Sequence, residues 1–213
     1  MLKKSLQKSA PQKPKLLVIL GPTASGKSDL AVLLAKKFDG EVVSADSRQV
    51  YKGLDIGTGK ITKKEMRGIP HHLLDVAHPR NIFTVTKWQR LAEKAIADIV
   101  RRGKLPIVVG GTGFYIQAIV DDINVPEVKP NKALRAQLEQ KAAALLFTML
   151  KKLDPRRAQA IDAKNPRRLI RALEIARELG SVPPLGVRRP TRYDVLQIGI
   201  ATDDKVLKEK IRK

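Results

Sequence analysis

The eight residues Gly21–Ser28, GPTASGKS, are the stretch of this sequence best suited to chemistry. They fit the phosphate-loop pattern G-x-x-x-x-G-K-[ST] at every specified position. Gly21 and Gly26 let the backbone turn tightly and bring its N–H groups to phosphate oxygens, with Pro22, Thr23, Ala24 and Ser25 spanning the turn. Lys27 adds a point charge, and Ser28 can place a hydroxyl on Mg²⁺. A helix starting here aims its positive end at the anion. The apolar run Leu16–Leu20 before the motif reads as a strand, and the periodic segment Asp29–Phe38 after it as a helix. That context favours a polyphosphate site over a chance match.

Two further candidates lie at the ends of other short apolar runs. Asp46, in ADSRQVYK (Ala45–Lys52), follows the expected strand Glu41–Ser44. Ligands of open α/β sheets sit at the carboxyl ends of the strands, so Asp46 is placed to look toward the phosphate loop. From spacing alone it can hold Mg²⁺, accept a proton or cap a following turn. Gly110–Tyr115, GGTGFY, follows the strand Leu105–Val109; its glycine pair permits close approach of a ligand, and Thr112 offers a hydroxyl where the next helix begins. The glycine-rich Gly53–Lys60 lacks G-x-G-x-x-G spacing and carries no nucleotide assignment by itself. Ile69–Val76 holds two of the three histidines; their setting favours packing or hydrogen bonding over zinc.

These residues need a frame. The first helix sets Leu30, Leu33 and Leu34 on one face, and Gly40 stops it. Thr84–Arg102 reads as a long amphipathic helix through Val85, Trp88, Leu91, Ala95, Ile96 and Ile99, with Trp88 in the core and Gly103 as the stop. The order strand–loop–helix, strand, helix, strand–loop–helix predicts an α/β fold: a parallel sheet flanked by helices in the style of the phosphate-loop NTPases, with a mostly helical insertion. After Val120 the texture changes. Asp121–Pro130 is turn-rich, Asn131–Leu153 reads as one helix, and Asp154-Pro155 and Asn165-Pro166 open two more, the last stopped by Gly180. The polar side of that last helix carries Arg167, Arg168 and Arg171, either a solvated basic face or a contact for RNA phosphate. Ser181–Arg192 is a Pro/Arg-rich loop, Val195–Ala201 a final strand, and Asp203 a cap for a closing helix. The expected division is a disordered lead-in over residues 1–14, a core over 15–121, an insertion over 122–164 and a return to the core over 165–213.

Composition narrows the partners. Of 213 residues, 42 are Lys or Arg and 21 are Asp or Glu, a net charge of +21, which points to an acidic polymer, above all nucleic acid. Aromatic residues are only 4% of the chain, which argues against a broad stacking platform. There is no cysteine, hence no disulfide and no cysteine-ligated zinc. No apolar run approaches the ~20 residues of a membrane span, and the N-terminus lacks the apolar middle of a secretory signal. These features set the expectation of a cytoplasmic protein without membrane contact, with a monomer as the default.

Taken in order, GPTASGKS, ADSRQVYKGLDIGTGK, HHLLDV, GGTGFYIQA, LDPRRAQAID and NPRRLIRALEIARELG closely resemble the tRNA dimethylallyltransferase family, the isopentenyltransferases that modify tRNA. The resemblance covers nearly all of residues 15–211. It implies transfer of a dimethylallyl group from its diphosphate to the exocyclic amine of the adenosine just 3′ of the anticodon. The phosphate loop would then cradle a diphosphate, with Mg²⁺ and Lys27 stabilising the departing charge. The resemblance gives Asp46 the role of acceptor or base at the adenosine amine and sets Thr112 beside the diphosphate. It puts Ser47, Arg48 and Gln49 near the flipped-out base. Arg135 and Arg167 through Arg171 fall on positions implicated in tRNA contact, and the insertion clasps the anticodon arm. It also implies a longer chain, with a helical segment and a catalytic arginine just beyond residue 213, so the return to the core is expected to be incomplete. The joins AALLFTML and SVPPLGVRR are shorter than the family pattern. Other readings are an adenylate isopentenyltransferase, a small-molecule kinase that uses ATP, and an RNA-binding remnant without turnover.

Overall fold

The computed structural model describes residues 13–123, 125–184 and 192–212. The lead-in expected over 1–14 falls outside these except for its last two residues, as does most of the Pro/Arg-rich loop. The chain forms two compact units, one of residues 1–123 with 188–213, the other of residues 124–187.

The first unit is built on a five-stranded sheet. β1 (Lys15–Leu20), β2 (Gly40–Ser44), β3 (His71–His72), β4 (Leu105–Gly110) and β5 (Asp194–Gly199) stand in the order β3-β2-β4-β1-β5. Every pairing is parallel. A parallel sheet is buried on both faces, which is why its central strands are apolar without alternation. Leu17 and Ile19 point to one face, where α1 (Lys27–Lys37) lays Ala31 and Ala35 against them. Leu16 and Val18 point to the other, under α3 (Val85–Arg101) and α4 (Gly113–Val120). There Trp88 is fully buried, stacked on Tyr115 with ring centroids 4.5 Å apart, and its Nε1 donates to the Ser44 carbonyl at 2.9 Å.

Several local expectations are corrected. The buried face of α1 is Ala31, Val32 and Ala35, and Leu33 is turned to solvent. Small residues bring the helix close to the sheet, which the larger leucines at 30, 33 and 34 concealed. Gly40 does not stop the helix but opens β2; a Cβ there would lie 2.7 Å from the Leu105 carbonyl oxygen, so the strand pair needs glycine. Leu91, placed on the buried stripe of α3, is 37% exposed, and Ala92 is buried in its stead. His71 and His72, left without an element, form β3 and pair with Val42 and Val43. They are held by hydrogen bonds, His71 Nδ1 with the Ile69 carbonyl and His72 Nε2 with Glu41, each at 2.8 Å. A short α2 (Lys63–Met66), closed by a Thr62–Glu65 capping box, precedes them.

The second unit is helical: α5 (Lys132–Glu139), α6 (Ala143–Leu153), α7 (Pro155–Gln159) and α8 (Pro166–Leu179). Its core joins Leu138, Leu146, Leu150, Leu169 and Leu173. The single helix expected over Asn131–Leu153 is broken at Gln140–Ala142. α5 packs on α8, whereas α6 packs on both α7 and α8. Tertiary packing makes this break; no glycine or proline marks it. The boundary expected at residue 164 also moves. α8 is part of the helical unit, and the chain re-enters the first unit only near residue 188. Within the first unit Arg192 fastens the two crossings, pairing with Asp122 at 3.1 Å and Glu93 at 3.6 Å. α9 (Asp204–Arg212) follows β5, with the Asp203 carboxylate accepting the Lys205 N–H at 2.7 Å.

Candidate active site at the carboxyl ends of β1, β2 and β4

The phosphate loop leaves β1 at Leu20 and enters α1 at Lys27. Gly26, the N-cap of α1, has φ 89°, a left-handed conformation that suits glycine. Gly21 is required by proximity, since a Cβ would lie 2.8 Å from the Ile200 carbonyl oxygen. The Lys27 ammonium folds back onto the Pro22 carbonyl oxygen. Burial pushes its pKa down, and the Asp46 charge pulls it partly back up. Ser25 is buried, and its hydroxyl has no hydrogen-bond partner among the described residues. A buried orphan hydroxyl is costly; in this loop it suits a phosphate oxygen. Ser28 is exposed in the first turn of α1.

The turn after β2 brings in the carboxylate. Asp46 Oδ1 accepts the N–H of Arg48 at 2.8 Å and of Gln49 at 3.3 Å. Capping, one of the three roles open to it, is therefore made, by one oxygen only. The turn after β4 packs directly on this one: a Cβ on Gly110 would lie 2.2 Å from the Ala45 carbonyl oxygen. The glycine thus serves approach of backbone to backbone. Thr112 N donates to the Ala45 carbonyl at 3.2 Å, and Thr112 Oγ1 accepts the Ser47 N–H at 3.0 Å and lies 3.3 Å from Ser47 Oγ. Tyr115, one turn on, has its phenol pushed up to about 12, by burial first and then by the charges of Tyr51 and Asp46.

The structure thus gathers Asp46, Ser47 and Thr112, with Lys27 within electrostatic reach of Asp46. A further residue of this region, Lys60, was not singled out by sequence; its side chain is 5% exposed and binds both Asp55 and Asp75. The signal available was a lysine closing a glycine loop that also carries an aspartate.

The arginines of the helical unit divide. Arg135 and Arg171 both bind the buried carboxylate of Glu174, at 2.7 and 3.0 Å, and Arg171 also donates to the Val128 carbonyl at 3.0 Å. Arg135 thereby ties α5 to α8, and Arg171 ties α8 to the segment before α5. Arg167 and Arg168, on the first turn of α8, are exposed, and their guanidinium groups have no partner among the described residues.

Comparison with known proteins bears on the whole chain. The family model "IPP transferase" matches residues 49–213. The chain is 45% identical to the tRNA dimethylallyltransferase of Leuconostoc citreum, over 93% of this chain and 67% of that protein. It is 44% identical to the enzyme of that name from Anoxybacillus flavithermus, over 93% and 65%. Among solved structures it resembles the tRNA isopentenylpyrophosphate transferase of Bacillus halodurans, with TM-score 0.62 and 43% identity over 93% of this chain and 64% of that one. It also resembles a eukaryotic dimethylallyltransferase acting on tRNA, with TM-score 0.74 and 32% identity over 93% and 52%. The chain spans about two thirds of the length of the curated relatives it matches. No helix among the described residues is long and apolar enough to cross a membrane.

Proposed function

We propose that this chain, which belongs to the IPP transferase family, transfers a dimethylallyl group from dimethylallyl diphosphate to the exocyclic amine of the tRNA adenosine 3′ of the anticodon. The observation that carries the reading is the junction of the turns after β2 and β4. Through Ser47 and Thr112 it fixes the turn that carries Asp46, whose charge acts on Lys27 of the phosphate loop. The amine nitrogen forms the new bond to the allylic carbon as the bond from that carbon to the diphosphate oxygen breaks. Lys27 and the α1 N-terminus meet the charge that gathers on the departing diphosphate. The Asp46 oxygen not spent on the turn accepts the proton the amine loses. Thr112 fixes where that carboxylate stands.

The donor set fits Mg²⁺. This ion takes one or two protein oxygens and completes its shell with water and phosphate oxygens, and Ser28 offers an unspent hydroxyl at the loop. When bound it would supply further positive charge to the diphosphate. The RNA phosphates fall to Arg167 and Arg168, while Arg135 and Arg171 brace the helix that presents them. We place the activity in the cytoplasm, in a monomer; a sequence without cysteine is compatible with that reducing compartment.

Transfer of label from dimethylallyl diphosphate, offered tRNA and free AMP in parallel with Mg²⁺, tests this reading. Label in tRNA alone is expected. Label in AMP would make the chain an adenylate isopentenyltransferase, and consumption of ATP with no prenyl transfer would make it a kinase. RNA binding with no transfer would leave a binding remnant.

A further inference from the structure

The glycine-rich loop Gly53–Lys60 takes no part in the site above, yet it breaks the usual rule for large apolar groups. Ile56 is 98% exposed and Leu54 43% exposed. The loop is nevertheless pinned. Lys60 donates to the Tyr51 carbonyl at 2.7 Å, Asp55 at 2.6 Å and Asp75 at 2.5 Å. A lysine buried this far persists because it is fully paired, and the pairing sets where the loop stands. Gln49 Nε2 also donates to the Gly59 carbonyl at 3.1 Å, and the Gln49 N–H is one of the two donors on Asp46. One residue therefore ties the loop to the reactive carboxylate. Beside the loop lies an open cavity of about 550 Å³ that Arg48, Tyr51, Leu54, Ile56 and Thr58 help to line. The Arg48 guanidinium has no partner among the described residues.

We propose that this cavity seats an unpaired RNA nucleobase neighbouring the one that is modified, with Leu54 and Ile56 against its face, Arg48 on its phosphate, and Lys60 as the positioning residue. The inference rests on the tRNA reading above. An apolar face joined to a cation is the signature of a base with its phosphate, and in a chain this poor in aromatics aliphatic side chains supply the face. Arg48 of the cavity lies in the Asp46 turn, and Gln49 ties the loop to that turn, so the occupant sits beside the reacting base in this reading. The allylic tail is the less fitting occupant, because the cavity is open to water and holds a charge.

The test measures binding of a labelled RNA hairpin reproducing an anticodon arm, intact or with an abasic site beside the target adenosine, to the wild-type chain and to Ile56→Asp. The variant is expected to bind the intact hairpin about tenfold more weakly. The abasic site should cost the wild type a similar factor and the variant nothing further. The Tm and the KM for dimethylallyl diphosphate should be unchanged. Lys60→Gln should show the same RNA-specific loss, and none added to that of Ile56→Asp. Wild-type affinity in Ile56→Asp, or losses that multiply, would overturn the proposal. A raised KM for dimethylallyl diphosphate with unchanged hairpin affinity would give the cavity to the allylic tail and overturn it equally. Label transfer measured alongside separates the two readings. Transfer that ignores both changes removes the seat alone, whereas hairpin binding that obeys them without any transfer keeps the seat and removes the transferase reading.

Discussion

Ser47 donates its backbone N–H to the Thr112 hydroxyl at 3.0 Å, and this bond joins the turns that follow two neighbouring strands. It fixes the segment that begins with Asp46. Thr112→Val keeps the shape and removes the acceptor. It is expected to lower kcat/KM by about 100-fold through misplacement of the carboxylate, while Thr112→Ser retains most of the rate. Equal rates in the two variants would show that the hydroxyl positions nothing.

Asp46 caps its turn and, in the proposed reaction, takes a proton, and substitution can separate the two. Asp46→Asn keeps an oxygen for the Arg48 and Gln49 N–H groups but cannot take a proton. It should leave Tm and diphosphate affinity near wild type and abolish transfer. Asp46→Ala should also lose transfer, and in addition lose about 1 kcal/mol of stability with the cap. Near-normal transfer by either variant would remove Asp46 from the chemistry.

Glu41, buried at the start of β2, binds Arg102 at 2.8 Å and His72 at 2.8 Å. The Arg102 hydrogen bond is the largest cause holding its pKa down to about 2, with the His72 bond adding to it against the opposing effect of burial. A carboxylate with a depressed native pKa stabilises the fold above its ordinary pKa, and that contribution is lost as pH falls toward the native value. The urea midpoint should therefore drop as pH falls from about 5 toward about 2. Glu41→Gln should be weaker at the upper pH and flatter across the range. An unchanged slope in the variant would show that other groups set the acid limit.

The arginines of α8 and α5 should part company under mutation. Arg168→Ala is expected to weaken tRNA binding and to reduce its salt dependence by about one counterion, with stability unchanged. Arg135→Ala removes the closest guanidinium from the buried Glu174 and should cost about 3 kcal/mol of stability. Urea unfolding and salt titration of tRNA affinity measure the two effects. A stability loss in Arg168→Ala, or none in Arg135→Ala, would reverse the assignment.

The strand, turn and helix around Gly21–Ser28 were legible because an apolar run, a glycine turn and a periodic segment follow one another there. The parallel sheet was legible because Leu16–Leu20 and Leu105–Val109 are apolar on both faces. What sequence concealed depends on partners distant in the chain. Leu33 lies outward because Ala31 and Ala35 meet the sheet, and their small size gives no signal of burial. The break at Gln140–Ala142 comes from two helices meeting different neighbours, with no breaker residue at the joint. Arg171 and Arg168 look alike in sequence, and only the position of Glu174 tells the brace from the exposed cation. The cap made by Asp46 was one of three open roles and needed coordinates to establish.

The pairing of β1 with β5, Lys15 opposite Asp194, has a consequence for synthesis. As the chain leaves the ribosome, β1 emerges well before its β5 partner, with the whole helical unit between them. In the interval the helical unit, whose internal contacts are nearer in sequence than the β1–β5 pairing, is already complete. One edge of β1, beside the phosphate loop, stays open to other strands for that time. The nascent sheet is thus open to wrong pairing along β1 until β5 takes its place.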